Sequence, residues 1–168
     1  MLIDKTEIAS HREISRSVKD DKINPYIDDA ELLDLKPLLG NALYFDLAKN
    51  PTDAKYIALL DPKEFIINDI TYKHQGLKKI ISIFATARYR LFGSATDTAF
   101  GLVEKQHNDS VQVSGTTKRD LYTKEQQAAT QYFADIALFL NNNTETYPLW
   151  NQGCRNRMTG GFRISKIS

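Results

Sequence analysis

The sequence predicts a mainly α-helical domain, because two long segments place apolar residues at helical spacing and three Asn-Pro or Asp-Pro steps punctuate a run of shorter helices ahead of them. A β-hairpin or extended loop at about residues 94–117 separates the two long helices. The expected architecture is a helical bundle with two long core helices, several short helices and that one excursion. At 168 residues, with 42% hydrophobic and 26% charged content, the chain suits a single core.

Residues 1–23 carry few apolar positions, so they are expected to form an N-terminal arm with one short helix near Thr6–Ser10, ordered only by a neighbour. At Asn24-Pro25 a capping residue precedes a proline at the first helical position, where its missing N–H costs nothing. A helix is expected to begin there, with Ile27, Leu32, Leu33 and Leu35 on its apolar side. Pro37 then predicts a kink or break before a second segment through Leu38, Leu39, Ala42, Leu43, Phe45 and Leu47. Asn50-Pro51 repeats the start signal for a short helix through Tyr56, Ile57, Leu59 and Leu60. Asp61-Pro62, with Glu64 three residues after the aspartate, predicts another helical start of capping-box character.

From Gln75 to Phe92, residues Leu77, Ile80, Ile81, Phe84, Arg88 and Leu91 recur at helical spacing; this is the first long helix, and Gly93 ends it. Phe100 and Leu102, then Val111 and Val113, alternate with polar or small residues on either side of Gln106-His107-Asn108-Asp109, the hairpin or loop pattern. The second long helix runs over about Lys118–Leu140 through Ala129, Tyr132, Phe133, Ile136 and Leu140, with Thr123 and Gln126 as a capping pair. The two long helices should pair to form the core. Residues 24–150 are thus the helical domain and 151–168 a C-terminal tail. Within the tail Phe162 and Ile164 alternate with Arg163 and Ser165, as in an edge strand that needs a sheet on another chain. Neither the excursion nor the tail has enough apolar residues for a private core, so Phe100, Leu102, Val111, Val113, Phe162, Arg163, Ile164 and Lys166 are the expected contact residues.

Charge excludes several functions. The formal net charge is +1, too small for the basic field of a nucleic-acid binder. It is unevenly placed: residues 1–34 carry nine acids and five bases, whereas residues 155–168 carry four bases and no acid. The longest apolar stretch, Ile80–Ala87, is bracketed by Lys78, Lys79, Arg88 and Arg90 and falls far short of the roughly 20 residues of a membrane span. The charged N-terminal residues Asp4 and Lys5 give no secretory signal, which predicts a cytosolic compartment.

Reactive constellations are not apparent. His11, His74 and His107 stand apart with no second His or Cys at ligand spacing, so no metal is expected. The glycines form neither a dinucleotide fingerprint nor a phosphate loop. Cys154 lies near Arg155 and Arg157 without an adjoining base, and Asp28, Asp29, Glu31 and Asp34 point in several directions on a helix, near a start that favours acids. Tyr89 and Phe92 beside Arg88 and Arg90 read as a core edge or protein interface rather than a nucleic-acid patch. No enzymatic activity and no cofactor are expected; an enzyme would need His74, His107 and Cys154 to converge.

One ordered set of residues is more specific. Asn24-Pro25-Tyr26-Ile27-Asp28-Asp29-Ala30, Asp34-Leu35-Lys36-Pro37-Leu38-Leu39-Gly40, Gly76-Leu77-Lys78 leading to Ala87-Arg88-Tyr89, Thr98-Ala99-Phe100-Gly101-Leu102-Val103-Glu104-Lys105 with Ser110 and Ser114, and Asn142-Asn143 with Tyr147-Pro148-Leu149-Trp150 follow one another along the chain. The set resembles the small head-to-tail connector, adaptor or neck, proteins of tailed bacteriophages, especially those infecting Bacteroidetes. The resemblance implies a virion protein, assembled in the host bacterial cytoplasm, that forms a homo-oligomeric ring of twelve subunits. Its implied partners are the portal protein and tail or further neck proteins, with DNA passing through the lumen without sequence-specific binding. It supplies no catalytic residue. Alternatives are another tail-side or assembly protein of the virion and, further off, a small helical DNA-binding protein.

Overall fold

The computed structural model describes residues 1–93 and 113–150, together with the backbone of 95–98 and 101–104. It is mainly helical, and its centre is helix α6 (Leu77–Phe92), around which the other elements are laid. Every residue from Ile80 to Ala87 is buried, as happens when a helix is covered on all sides. Two of those residues carry hydroxyls. Ser82 donates to the Lys78 carbonyl at 2.8 Å and Thr86 to the Ser82 carbonyl at 2.7 Å, so neither is left unsatisfied. The longest apolar stretch in the sequence is therefore the core's axis.

Helix α1 (Lys5–His11) begins at Asp4, whose side chain accepts from the Glu7 N–H at 2.8 Å. It packs on α6, and Ile3, Ile8 and Ile23 all join the common core. The expected arm thus has its neighbour within its own chain. Three apolar residues suffice because each is almost fully buried, a pattern too sparse for periodicity to reveal. Lys5 Nζ donates to the carbonyls of Arg16 and Val18 and fastens the loop that leads to α2.

Helix α2 (Asp20–Asp29) starts earlier than Asn24-Pro25 predicts, and Pro25 lies inside it. Asp20 and Asp21 fill the first turn, where carboxylates complement the helix dipole. The exposed side position of Pro25 lets the abandoned Asp21 carbonyl turn to water. No kink separates two helices at Pro37. Instead a π-helical segment (Ala30–Leu35) continues α2 into α3 (Lys36–Leu39), with the Lys36 N–H bonding five residues back to the Glu31 carbonyl. This wider turn precedes the proline, which then sits in the first turn of α3 and escapes the clash of a mid-helix ring. The helical run stops at Gly40, whose φ of 80° suits glycine. Helices α4 (Asn41–Lys49) and α5 (Ala54–Leu60) follow.

Asp61-Pro62 does not start a helix. Strands β1 (Lys63–Ile67) and β2 (Ile70–His74) form an antiparallel hairpin there. Its two-residue turn, Asn68-Asp69, has φ of 49° and 61°, the paired positive values of a type I′ turn. Phe65 and Tyr72 are cross-strand partners and their rings stack at 5.7 Å. Next comes Gly76, the residue ahead of α6; its φ is 79°, and a Cβ there would collide with the Leu60 carbonyl.

Past α6, strands β3 (Ala95–Thr98) and β4 (Gly101–Glu104) form a second antiparallel hairpin inside the expected excursion. Helix α7 (Gly115–Asn142) begins earlier than expected, at Ser114, whose hydroxyl accepts from the Thr117 N–H at 3.2 Å. Thr123 caps nothing; its hydroxyl donates within the helix to the Arg119 carbonyl at 3.0 Å. The expected pairing of α6 with α7 forms, burying Leu77, Ile81, Phe84, Phe133 and Ile136, while Leu91 and Tyr132 are half-buried at its margin. No helix among the described residues is long and apolar enough to cross a membrane.

Truncating either large ring at the α6–α7 contact leaves a cavity that rigid neighbours cannot fill. Phe84→Ala and Phe133→Ala should each cost about 3 to 5 kcal/mol, measured by urea denaturation; losses below about 1 kcal/mol at both sites would contradict this packing.

Candidate assembly interface

Residues of α2, the π segment and α6 meet in one charged and aromatic junction. Arg88 grips Asp34 with two bonds, Nε to Oδ2 at 2.7 Å and Nη2 to Oδ1 at 2.9 Å. Both side chains are nearly buried, at 13% and 11% exposure. The fork geometry makes a strong, directional clamp, and its hydrogen bonds raise the guanidinium pKa still further. Next along α6, Tyr89 meets Tyr26 edge-on at 5.7 Å. Arg90 bonds Glu125 of α7 at 2.6 Å and reaches the Glu13 carbonyl at 3.4 Å. Each arginine is matched by a carboxylate, so this face of α6 is a core edge, and only Phe92 stands out, 53% exposed.

The acidic residues of α2 and the π segment go separate ways. Asp28 and Asp29 are exposed, Asp34 takes Arg88, and Glu31 is buried where it accepts the Leu2 N–H at 2.5 Å. Burial raises the Glu31 pKa, opposed by backbone N–H donors and the nearby amino group. The dipole account of these four fails, because the helix starts at Asp20 and they lie well past its first turn. Among the described residues no group of His, Cys, Asp and Glu is arranged to hold a metal ion.

At the other end of α7, rings form a chain. Phe139 contacts Phe65 at 5.2 Å, His74 at 5.0 Å and Tyr147 at 5.9 Å. His74 is fully buried, and its Nδ1 accepts from the Gly76 N–H at 3.2 Å, while Nε2 has no regular hydrogen-bond partner. Burial, and then the charge of Lys63, push its pKa down against the weaker pull of Asp135 and the Ala58 carbonyl. The Tyr147 hydroxyl donates to the Lys55 carbonyl at 2.6 Å, and Trp150 Nε1 to Asn141 Oδ1 at 2.8 Å.

Residues of the quoted motifs thus fall in two separate clusters, Tyr26 with Tyr89 and Asp34 with Arg88 in one, Tyr147 and Trp150 against α7 in the other. They are framework, holding helices together. The surfaces left for another molecule lie elsewhere. Helix α7 has 28 residues, and its first fully buried one is Ala129. Contacts of Lys79 with Tyr132 and of Arg90 with Glu125 make α6 and α7 antiparallel, so α6 ends about level with Leu121 and α7 runs on beyond it. Phe92, Leu121 and Val113 are exposed at this end, 53%, 43% and 51%, beside the departing β3–β4 hairpin.

Of the expected contact residues, Val113 is exposed immediately before the α7 cap, and Leu102 lies on β4 opposite Asp97. Phe100, Val111, Phe162, Arg163, Ile164 and Lys166 lie outside the described residues, as do His107 and Cys154. Phe92, expected at a core edge or protein interface, is exposed; sequence reasoning missed Leu121, since helical spacing marks a stripe without saying where its partner helix ends. It also missed the β1–β2 hairpin, though Ile66-Ile67-Asn68-Asp69-Ile70-Thr71 carried the signal of a turn pair between β-formers.

Residues 35–160 match the model of a family described as one of unknown function, DUF6712. No curated protein and no solved structure matches the chain.

Removing one partner of the Asp34–Arg88 clamp strands the other charge. Arg88→Ala or Asp34→Ala should cost about 2 to 4 kcal/mol, and Arg88→Lys most of that, with the double variant well short of additive in a denaturation cycle. His74 gives a pH signature. Its folded pKa lies below the ordinary value of about 6.5, so its contribution is fully present above that value and is lost as pH falls through it toward the depressed pKa. Unfolding free energies at pH 7.5 and 5.5 should show a larger acid loss in the native chain than in His74→Gln, with a difference of slope up to about 1.4 kcal/mol per pH unit.

Proposed function

This chain belongs to DUF6712, a family of unknown function, and we propose that it is a structural virion protein, a ring adaptor joining portal to tail in a tailed bacteriophage. In this role it seals and extends the DNA channel, as a ring of about twelve copies located in the neck; the ring size comes from the connector resemblance. One observation carries the reading. Three of the motif pieces that resemble phage connectors, those around Tyr26, Asp34 and Arg88-Tyr89, are joined by the Tyr26–Tyr89 and Asp34–Arg88 contacts, and a fourth, Tyr147 to Trp150, packs on α7 through Phe139. Contacts between residues so far apart in the chain support the reading that the likeness extends to the helical body.

The surface features suit the role. A helix whose first half has no fully buried residue, next to a two-stranded hairpin, offers one end of the molecule to a neighbour. Phe92, Leu121 and Val113 are exposed apolar residues at that end, the composition expected of an interface centre. A formal net charge of +1 suits a channel through which DNA slides, because a strongly basic wall would hold the phosphates by counterion release.

Native mass spectrometry and negative-stain microscopy of the pure protein, alone and with its portal, test the reading. A closed ring that docks on the portal is expected; a chain that stays monomeric in both conditions would overturn it. Phe92→Ser combined with Leu121→Ser should lower the monomer's melting temperature only modestly, since each residue is already about half exposed. The same variant should fail to form rings or to bind portal.

A further inference from the structure

The β1–β2 hairpin is a two-stranded sheet with an open edge. Its two-residue turn makes Ile67 and Ile70 a hydrogen-bonded pair, and the alternation of antiparallel ladders extends that class to Phe65 with Tyr72 and Lys63 with His74. The N–H and C=O groups of Glu64 and Ile66 consequently point away from β2, and among the described residues no backbone group outside the hairpin bonds them. Strand β2 packs along α7, and both strands meet that helix through the face that carries Phe65 and His74, which leaves the outer edge of β1 without a strand beside it. Ile66, on that strand, is 71% exposed. A bare edge with a large apolar side chain is a template for one more strand.

We propose that residues 162–166 of one chain add to this edge on a neighbouring copy as an antiparallel third strand, with Ile164 opposite Ile66. That register sets Lys166 opposite Glu64, an attractive cross-strand pair, and Ser165 opposite Phe65. It also brings Ile167 opposite Lys63, on the sheet face that Phe65 and His74 share. The alternation Phe162-Arg163-Ile164-Ser165 is what a strand joined to this sheet requires.

The described chain stops some distance from its own hairpin. Tyr147 packs on Phe139, level with the hairpin, but Trp150 packs on Phe133, at 6.2 Å between rings. The six residues between those two phenylalanines are about 9 Å of helix, so the chain is already running back along α7, away from its own β1. The eleven residues 151–161 can span up to about 36 Å, a reach that admits the edge of another copy as well as its own, and the ring reading assigns it to the other copy. One edge and one tail per chain make a head-to-tail contact, the kind that closes into a ring. The inference rests on the ring reading and supplies the contact that would build it.

Single-cysteine chains test it. In a Cys154→Ser background, full-length chains carrying Ile66→Cys are mixed with chains carrying Ile164→Cys and oxidised mildly. A covalent dimer should form, several-fold more abundant than when Thr71→Cys, on the strand against α7, replaces Ile66→Cys. Melting temperatures of the variants check that each is folded. In a chain with both Ile66→Cys and Ile164→Cys, a ladder of linked multimers is expected. A dimer no more abundant than the Thr71→Cys control, or a disulfide closed within one chain, overturns the strand exchange. Native mass spectrometry of the Cys154→Ser chain separates the two ideas: a closed ring without the 66–164 link discards the exchange and keeps the ring. Linked open oligomers with no closed ring keep the exchange and discard the ring.

Discussion

Everything in this molecule is arranged around a helix that cannot meet water. From Ile80 to Ala87 no residue of α6 is exposed, and covering a helix on all sides takes more than one partner. Helix α7 covers one flank, α1 and α2 with the π segment cover another, and α5 touches its start. Short helices serve here because each has only one strip of α6 to cover. This constraint also accounts for the two internal hydroxyls bonded within the helix: a buried serine or threonine without a partner would cost more than its removal.

The ends of α6 are fixed differently. At its start the backbone of Leu60 and Asp61 crowds Gly76, leaving no room for a side chain. Toward its finish, Arg88 and Arg90 carry charge out of the core and hand it to Asp34 and Glu125. The first of these joins α6 to the π segment, whose widened turn faces Ala30, Glu31 and Leu35 inward while Leu32 and Leu33 are left outside. An extra residue in a turn, imposed ahead of a proline, thus sets which acid can meet the arginine.

A division of labour follows between framework and surface. Tyr26, Asp34, Arg88, Tyr89, Tyr147 and Trp150 lock one element to another and explain how the body keeps its shape. What is free to touch another molecule is the overhanging start of α7 with Phe92 and Leu121, and the edge of β1 with Ile66. These two surfaces lie toward opposite ends of α7: the hairpin's Phe65 meets Phe139 near one end, and Phe92 lies near the level of Leu121 toward the other. Exposed apolar residues toward both ends suit the proposed role of a part that links two others.

By itself the sequence determined the mainly helical class and the two long helices, because apolar spacing from Leu77 to Leu91 and from Ala129 to Leu140 is a local property of the chain. Near Asn68-Asp69 the proline and glutamate of Asp61-Pro62 and Glu64 gave a helix signal, and the pairing of β1 with β2 overrode it. Only the tertiary structure decided that Ile3 and Ile8 belong to the core, since isolated apolar residues acquire meaning when a neighbour buries them. It alone decided that Pro25 and Pro37 would be carried within a helical run, as packing of Ile23, Ile27 and Leu35 outweighed the loss of a backbone bond. The meeting of Asp34 with Arg88, 54 residues apart, likewise lay beyond any local pattern. Spacing along a chain reports which residues share a face, whereas the partner of that face is chosen by the geometry of the whole.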